Sequence, residues 1–81
     1  MSKMKNVENI KRNFGIIVRK FRVSQNMTQE ELAEKTELHR TYISEVERGE
    51  RNVSLININK ISSSLNVELS QLFLLVESEE E

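Results

Sequence analysis

The 81-residue chain has no cysteine, no proline and no aspartate, only two glycines and one histidine, and 5% aromatic residues. Each absence excludes something. Without cysteine there is no disulfide and no thiolate for a structural zinc site. One histidine and no aspartate leave too few groups for most metal centres, and no nucleophile–base pair or phosphate-binding glycine loop is present. Neither a cofactor nor a small-molecule ligand is expected. A sheet protein needs many turns, which two glycines and no proline provide poorly, so short connections between helices fit better. No internal repeat and no sustained alternation of apolar and polar residues is visible. The longest apolar run, Leu72–Val76, falls far below the roughly 20 residues that span a bilayer. The basic N-terminus is not followed by the apolar segment of a signal peptide, so a cytoplasmic protein is expected. The length suits one small domain without a separate sensing domain. Such a domain buries only about 60% of its unfolded surface. With disulfides and metals gone, self-association is the remaining support.

Charge is nearly balanced, with 12 Lys and Arg against 13 acidic residues. Taken whole, that argues against a nucleic-acid binder. The distribution reverses the impression. Residues 1–22 hold Lys3, Lys5, Lys11, Arg12, Arg19, Lys20 and Arg22 against Glu8 alone, a net of +6. Glu77, Glu79, Glu80 and Glu81 close the chain, and residues 1–76 without them carry +3. The run 77–81 reads as a solvated, disordered acidic tail and residues 1–76 as the domain.

Helical spacing organises that domain. Val7, Ile10, Phe14, Ile17 and Phe21 follow steps of three and four and predict a first helix over about 6–24. Asn26 can end it in a left-handed turn. Thr28 and Glu31 form a T-x-x-E capping box, with Met27 and Leu32 at the staple positions around it, so a second helix starts at Gln29 and runs to about Thr36. The same five-residue apolar spacing recurs at Leu38/Ile43, Val53/Ile58 and Val67/Leu72. It predicts helices over 40–48, 55–65 and 69–76, the third stopped by Gly49. In the fourth, Leu55, Ile58, Ile61, Ser62 and Leu65 are expected inward. The reading is an all-α fold of five short helices.

A short helix, a turn at residues 37–39 and a second short helix make a helix-turn-helix. Ala33 is the only alanine and stands where two steeply crossing helices need a small residue. The exposed N-terminal face of the second of these helices would enter a DNA major groove, offering Arg40, Thr41, Ser44 and Glu45. Arg40 suits a bidentate pair with guanine O6 and N7. Thr41 and Ser44 suit a base edge or a phosphate, and the Thr41 methyl can meet a thymine methyl. Glu45 either accepts from cytosine N4 or repels phosphate at wrong sites. Tyr42 either gives its hydroxyl to a phosphate or packs inward. Arg48, Arg51 and Asn52 follow where the chain should pass along phosphates. His39 reads as a turn residue. One such helix contacts few base pairs, so two copies on half-sites about 34 Å apart are expected. Leu69, Leu72, Phe73 and Val76 form a stripe with more apolar surface than one terminal helix needs. A second copy is assigned to it; the alternative is a purely intramolecular lid.

The block Thr28-Gln29 … Leu32-Ala33 … Ile43-Ser44 … Glu47-Arg48-Gly49 resembles the lambda-repressor-like helix-turn-helix regulators, over about residues 10–75. Within them, His39–Ser44 with Glu47–Asn52 looks most like restriction–modification controller proteins. The resemblance implies that Gln29 bonds a phosphate and buttresses the recognition helix. It implies an ion pair between Arg22 and Glu47 that orients that helix. It places Glu30 and Glu34 where phage repressors contact the RNA polymerase sigma subunit, although both also suit a solvated helix face. It implies control of restriction–modification genes and of the protein's own gene, by activation at low and repression at high concentration. The family's usual turn residue, Gly or Asn, is here Glu37, for which a left-handed conformation is costly. Two other classes are another small phage-type repressor and an antitoxin-like interaction module. The latter would present acidic or apolar residues where Arg40, Thr41 and Ser44 stand.

Overall fold

The computed structural model describes residues 7–79, with side chains from Asn9 onward. Lys3, Lys5, the side chains of Val7 and Glu8, and Glu80 and Glu81 lie outside the described residues. Those that remain form five helices, α1 (Val7–Ser24), α2 (Gln29–Thr36), α3 (Arg40–Glu47), α4 (Leu55–Ser64) and α5 (Leu69–Ser78), with no strand among them. α1 packs on α3 and α5, α2 on α3 and α4, and α4 on α5. No helix among the described residues is long and apolar enough to cross a membrane.

Local chemistry sets where the helices begin. The Thr28 hydroxyl accepts from the Glu31 amide at 3.0 Å, and the Glu31 carboxylate accepts from the Thr28 amide at 2.8 Å. Two donors that a helix start leaves orphaned are thereby satisfied. Ser54 accepts from the Asn57 amide at 3.1 Å. His39 and Glu68 occupy the same position on α3 and α5 without a side-chain cap bond.

The ends share one device. Asn26, Glu37, Gly49 and Asn66, following α1 to α4 in turn, are left-handed, with φ of 57°, 61°, 76° and 58°. After each, the amides of Met27, Leu38, Glu50 and Val67 donate to the carbonyls of Arg22, Ala33, Glu45 and Ser62, at 2.9–3.1 Å. These five-residue-back bonds satisfy carbonyls that a helix end leaves bare. Asn and Gly take the conformation readily, whereas Glu37 bears a steric cost of about 1–2 kcal/mol. Met27, Leu38 and Val67 then turn inward against the core.

That core joins all five helices through Val18, Leu32, Ile43, Ile61, Leu65 and Leu72, none with measurable exposure. Two expected core residues are not in it. Ile10 is 40% exposed and Leu55 69%. α1 lies between α3 and α5, so its covered face is centred on Asn13, Phe14, Ile17 and Val18, and Ile10 falls to its margin. Leu55 opens α4, ahead of the turns that carry the buried Ile61 and Ser62.

α5 continues past residue 76 and takes in Glu77 and Ser78, so the expected boundary between domain and tail falls inside a helix. The cause is Asn13, 1% exposed. Its Nδ2 donates to the carbonyls of Val76 at 3.4 Å and Glu79 at 3.3 Å, and Lys20 Nζ reaches the Glu79 carboxylate at 3.2 Å. The end of α5 is tied down on α1.

Candidate nucleic-acid interface

The orientation of α3 is fixed from two sides. At Gly15 the backbone of α1 meets the last turn of α3: a Cβ there would sit 2.6 Å from the Glu47 carbonyl oxygen, and closer still to that of Val46. A Cβ on Gly49, just past α3, would lie 2.9 Å from Arg12 Cα. On the other side stands a cluster drawn from three helices. Arg22 grips Glu47 with one edge of its guanidinium, Nε to Oε2 at 2.6 Å and Nη2 to Oε1 at 2.9 Å. Arg22 Nη1 also donates to the Met27 carbonyl at 2.8 Å, and Gln29 Nε2 donates to Glu47 Oε1 at 3.0 Å. The side chains are only 11% and 4% exposed. The hydrogen bond that Arg22 donates to Glu47, opposed in part by burial, raises the Arg22 pKa above its ordinary value. A bidentate pair of this kind fixes angle as well as distance. It is reinforced by Gln29, the first residue of α2. The Gln29 backbone amide, one of the four that an α-helix leaves without an internal acceptor, points out of the N-terminus of α2.

The outer face of α3 is polar. Arg40 and Thr41 are exposed and have no side-chain partner among the described residues. Arg40 shares the wall of one shallow groove with Gln29 and Glu30. One turn on, the Ser44 hydroxyl accepts from Arg48 Nη1 at 2.6 Å, and Arg48 in turn holds Glu50 through Nε at 2.9 Å and Nη2 at 3.1 Å. Glu45 lies 3.6 Å from Arg51. The Arg51 guanidinium sits 4.7 Å above the Tyr42 ring, a cation–π arrangement. Tyr42 is half-buried against the core, and its hydroxyl accepts from Asn57 Nδ2 at 3.2 Å. Its own proton is thus left to donate outward. Asn52 is exposed beside Arg51. The arrangement offers donors along a convex helix face with cations at its end, as a major groove and its flanking phosphates require.

A helix-turn-helix family model matches residues 18–72. Control protein C.BamHI of Bacillus amyloliquefaciens is 57% identical over 65 residues, which are 79% of this chain and 80% of that one. The chain belongs to the helix-turn-helix controller proteins. A solved restriction–modification controller protein, C.AhdI from Aeromonas hydrophila, superposes with a TM-score of 0.74 at 44% identity, over 76% of this chain and 94% of that one. Controller protein C.Esp1396I, solved as a tetramer in complex with its natural 35 base-pair operator, gives 0.77 at 34% identity, over 83% and 88%.

In this controller protein the C-terminal stripe is split. Leu72 is fully buried and Val76 is 3% exposed, so both point into the protomer's own core. Leu69 is half-buried. Phe73 at 40% and Leu74 at 60% face outward, as do Leu55 and Ile56 on α4. The apolar surface is therefore present, but Leu74, Leu55 and Ile56 carry much of it, and the sequence reading had none of these three in it. Glu30 and Glu34 are exposed on α2. Sequence reasoning also missed Gly15, Asn13, Glu50 and Asn57, each of which acts through a contact that spacing along the chain does not announce.

Proposed function

We propose that this controller protein is a sequence-specific, homodimeric transcription regulator that lays α3 in the major groove of a palindromic operator. The observation that carries this reading is the pair of unpartnered residues Arg40 and Thr41 on a helix clamped by Arg22, Glu47 and Gln29. Arg40, Thr41, Ser44 and Glu45 face base edges. Gln29, Tyr42, Arg48, Arg51 and Asn52 meet phosphates. By analogy with its relatives, the regulated genes are those of a restriction–modification system together with its own, with activation passing to repression as concentration rises. Glu30 and Glu34 then stand free of DNA to meet the polymerase sigma subunit. The chain binds and does not turn over a substrate.

Selection of duplexes from a random pool, followed by a band-shift across low and moderate salt, tests the reading. Arg40→Ala is expected to cost about 1–3 kcal/mol of operator affinity and to relax the preference at one base pair of each half-site. If the unaltered protein prefers no sequence over random DNA, the reading fails.

The second copy sits on the outward residues of α5, Phe73 and Leu74. Phe73 also rims a groove whose other wall includes Arg51 and Asn52, so dimer contact and phosphate contact adjoin. Leu74→Glu is expected to give monomers in sedimentation at concentrations where the unaltered chain is dimeric, and to melt with the unaltered chain only at dilutions where both are monomeric, because Leu74 is already 60% exposed in the protomer. A dimer of unaltered strength places the partner elsewhere.

A further inference from the structure

On a continuous helix, side chains two positions apart do not face each other. Arg48 and Glu50 do, because the left-handed turn at Gly49 folds the chain back. The Glu50 amide closes on the Glu45 carbonyl at 2.9 Å, and the Glu50 carboxylate lies along the Arg48 guanidinium. The Glu50 bond raises the Arg48 pKa, and the same contact lowers that of Glu50, so both stay charged. Arg48 then delivers Nη1 to the Ser44 oxygen at 2.6 Å. Arginine only donates, so the serine must accept. A hydroxyl that accepts from a cation is polarised: its O–H becomes a stronger donor and its remaining lone pair a poorer acceptor.

We propose that Glu50 and Arg48 form a polarity lock that makes Ser44 a hydrogen-bond donor to the DNA base edge. Locked in this way, Ser44 recognises acceptors in the major groove: guanine O6 or N7, adenine N7, thymine O4. It disfavours the amino group of cytosine, which presents a donor. Glu50 touches no base and is a positioning residue. It holds the guanidinium plane so that one Nη1 hydrogen stays on Ser44, while the second hydrogens of Nη1 and Nη2 are left for the phosphate. Without Glu50, Arg48 is free to turn to the backbone, and the hydroxyl can rotate to donate or accept.

The inference rests on the major-groove reading of α3, and the test separates the two. Duplexes are selected from a random pool with the unaltered protein, with Ser44→Ala and with Glu50→Ala. Ser44→Ala identifies the base pair that Ser44 reads. Glu50→Ala is expected to lose about tenfold of the preference at that same base pair, the worth of one hydrogen bond. The other positions should keep their preferences. Its melting curve should match the unaltered protein's, since the Glu50 side chain is 52% exposed. A uniform change of affinity with the preference at that base pair intact would overturn the lock, because a mere change of charge acts without regard to sequence. So would relaxation at a base pair other than the one Ser44→Ala identifies, or no change at all. If the unaltered protein selects no sequence, the major-groove reading itself is lost.

Discussion

Glu47→Ala should lower stability by about 3–5 kcal/mol, a large share of the roughly 5–15 kcal/mol that holds a domain together. The substitution leaves the Arg22 guanidinium enclosed with only the Met27 carbonyl for a partner, and it leaves Gln29 Nε2 without its acceptor. The cost comes from stranding a charge rather than from losing an attraction. A double variant that replaces both ends by apolar residues, Arg22→Met with Glu47→Leu, should therefore recover most of the loss. Thermal melts decide it. In a chain of this length each kcal/mol is worth roughly 4–8 °C, so the single variant should melt more than about 10 °C early. A shift of a degree or two would mean that the pair behaves as surface charge. The double variant also separates stability from aim. It should fold, yet bind the operator more weakly, because no bidentate bond then sets the angle of α3 against α1.

Gly15→Ala should destabilise despite improving local helix propensity. An alanine at an interior helical position is worth about 1 kcal/mol over glycine. Against that, the new Cβ meets backbone carbonyls at 2.6 Å or less, where ordinary contact begins near 3.4 Å. A flexible side chain can swing away, but a carbonyl in the last turn of a helix cannot, so α1 and α3 must separate by most of an ångström. Overpacking of this kind costs about 1–3 kcal/mol net of relaxation, and more when backbone has to move. Melts of Gly15→Ala beside Ser63→Ala, a substitution on an exposed turn of α4, give the comparison. A Gly15→Ala protein as stable as the unaltered chain would show that the two helices can part freely. DNA affinity measured where both proteins are folded should also fall, because the recognition helix is displaced.

Parts of the fold were legible in the sequence because their causes are local. Thr28 and Glu31 are three residues apart and complete their box without outside help. Asn26 and Gly49 end helices through their own backbone freedom. The outer polar face of α3 was legible for the same reason: Arg40, Thr41 and Ser44 lie on one side of any helix that starts at residue 40. What the sequence hid lies in contacts across the fold. Gly15 announces smallness but not the carbonyls of α3 that require it. Asn13 looks like a polar interruption of an apolar stripe until α5 is laid over it. α5 is apolar on nearly every side, so spacing alone could not say that Leu72 and Val76 turn inward while Leu74 turns out. Asn57 and Tyr42 lie 15 residues apart and share no pattern that would pair them.

Met27, Leu38 and Val67 each close one helix and open the next. The amide of each completes the stop of the helix behind it, and the side chain of each is the apolar residue just ahead of the following N-cap. These joints therefore have no slack. One residue inserted at 25–28, 37–39 or 66–68 would strip one helix of its stop and the next of its start in a single step. The connection from Gly49 to Ser54 is different, because there the stop and the start belong to separate residues. Changes in length are absorbed there or nowhere, and that stretch carries Arg51 and Asn52. Under the proposed phosphate role of Arg51 and Asn52, a lineage of such proteins can thus vary its grip on the DNA backbone by lengthening one loop, while the spacing between α2 and α3 stays at a fixed number of residues.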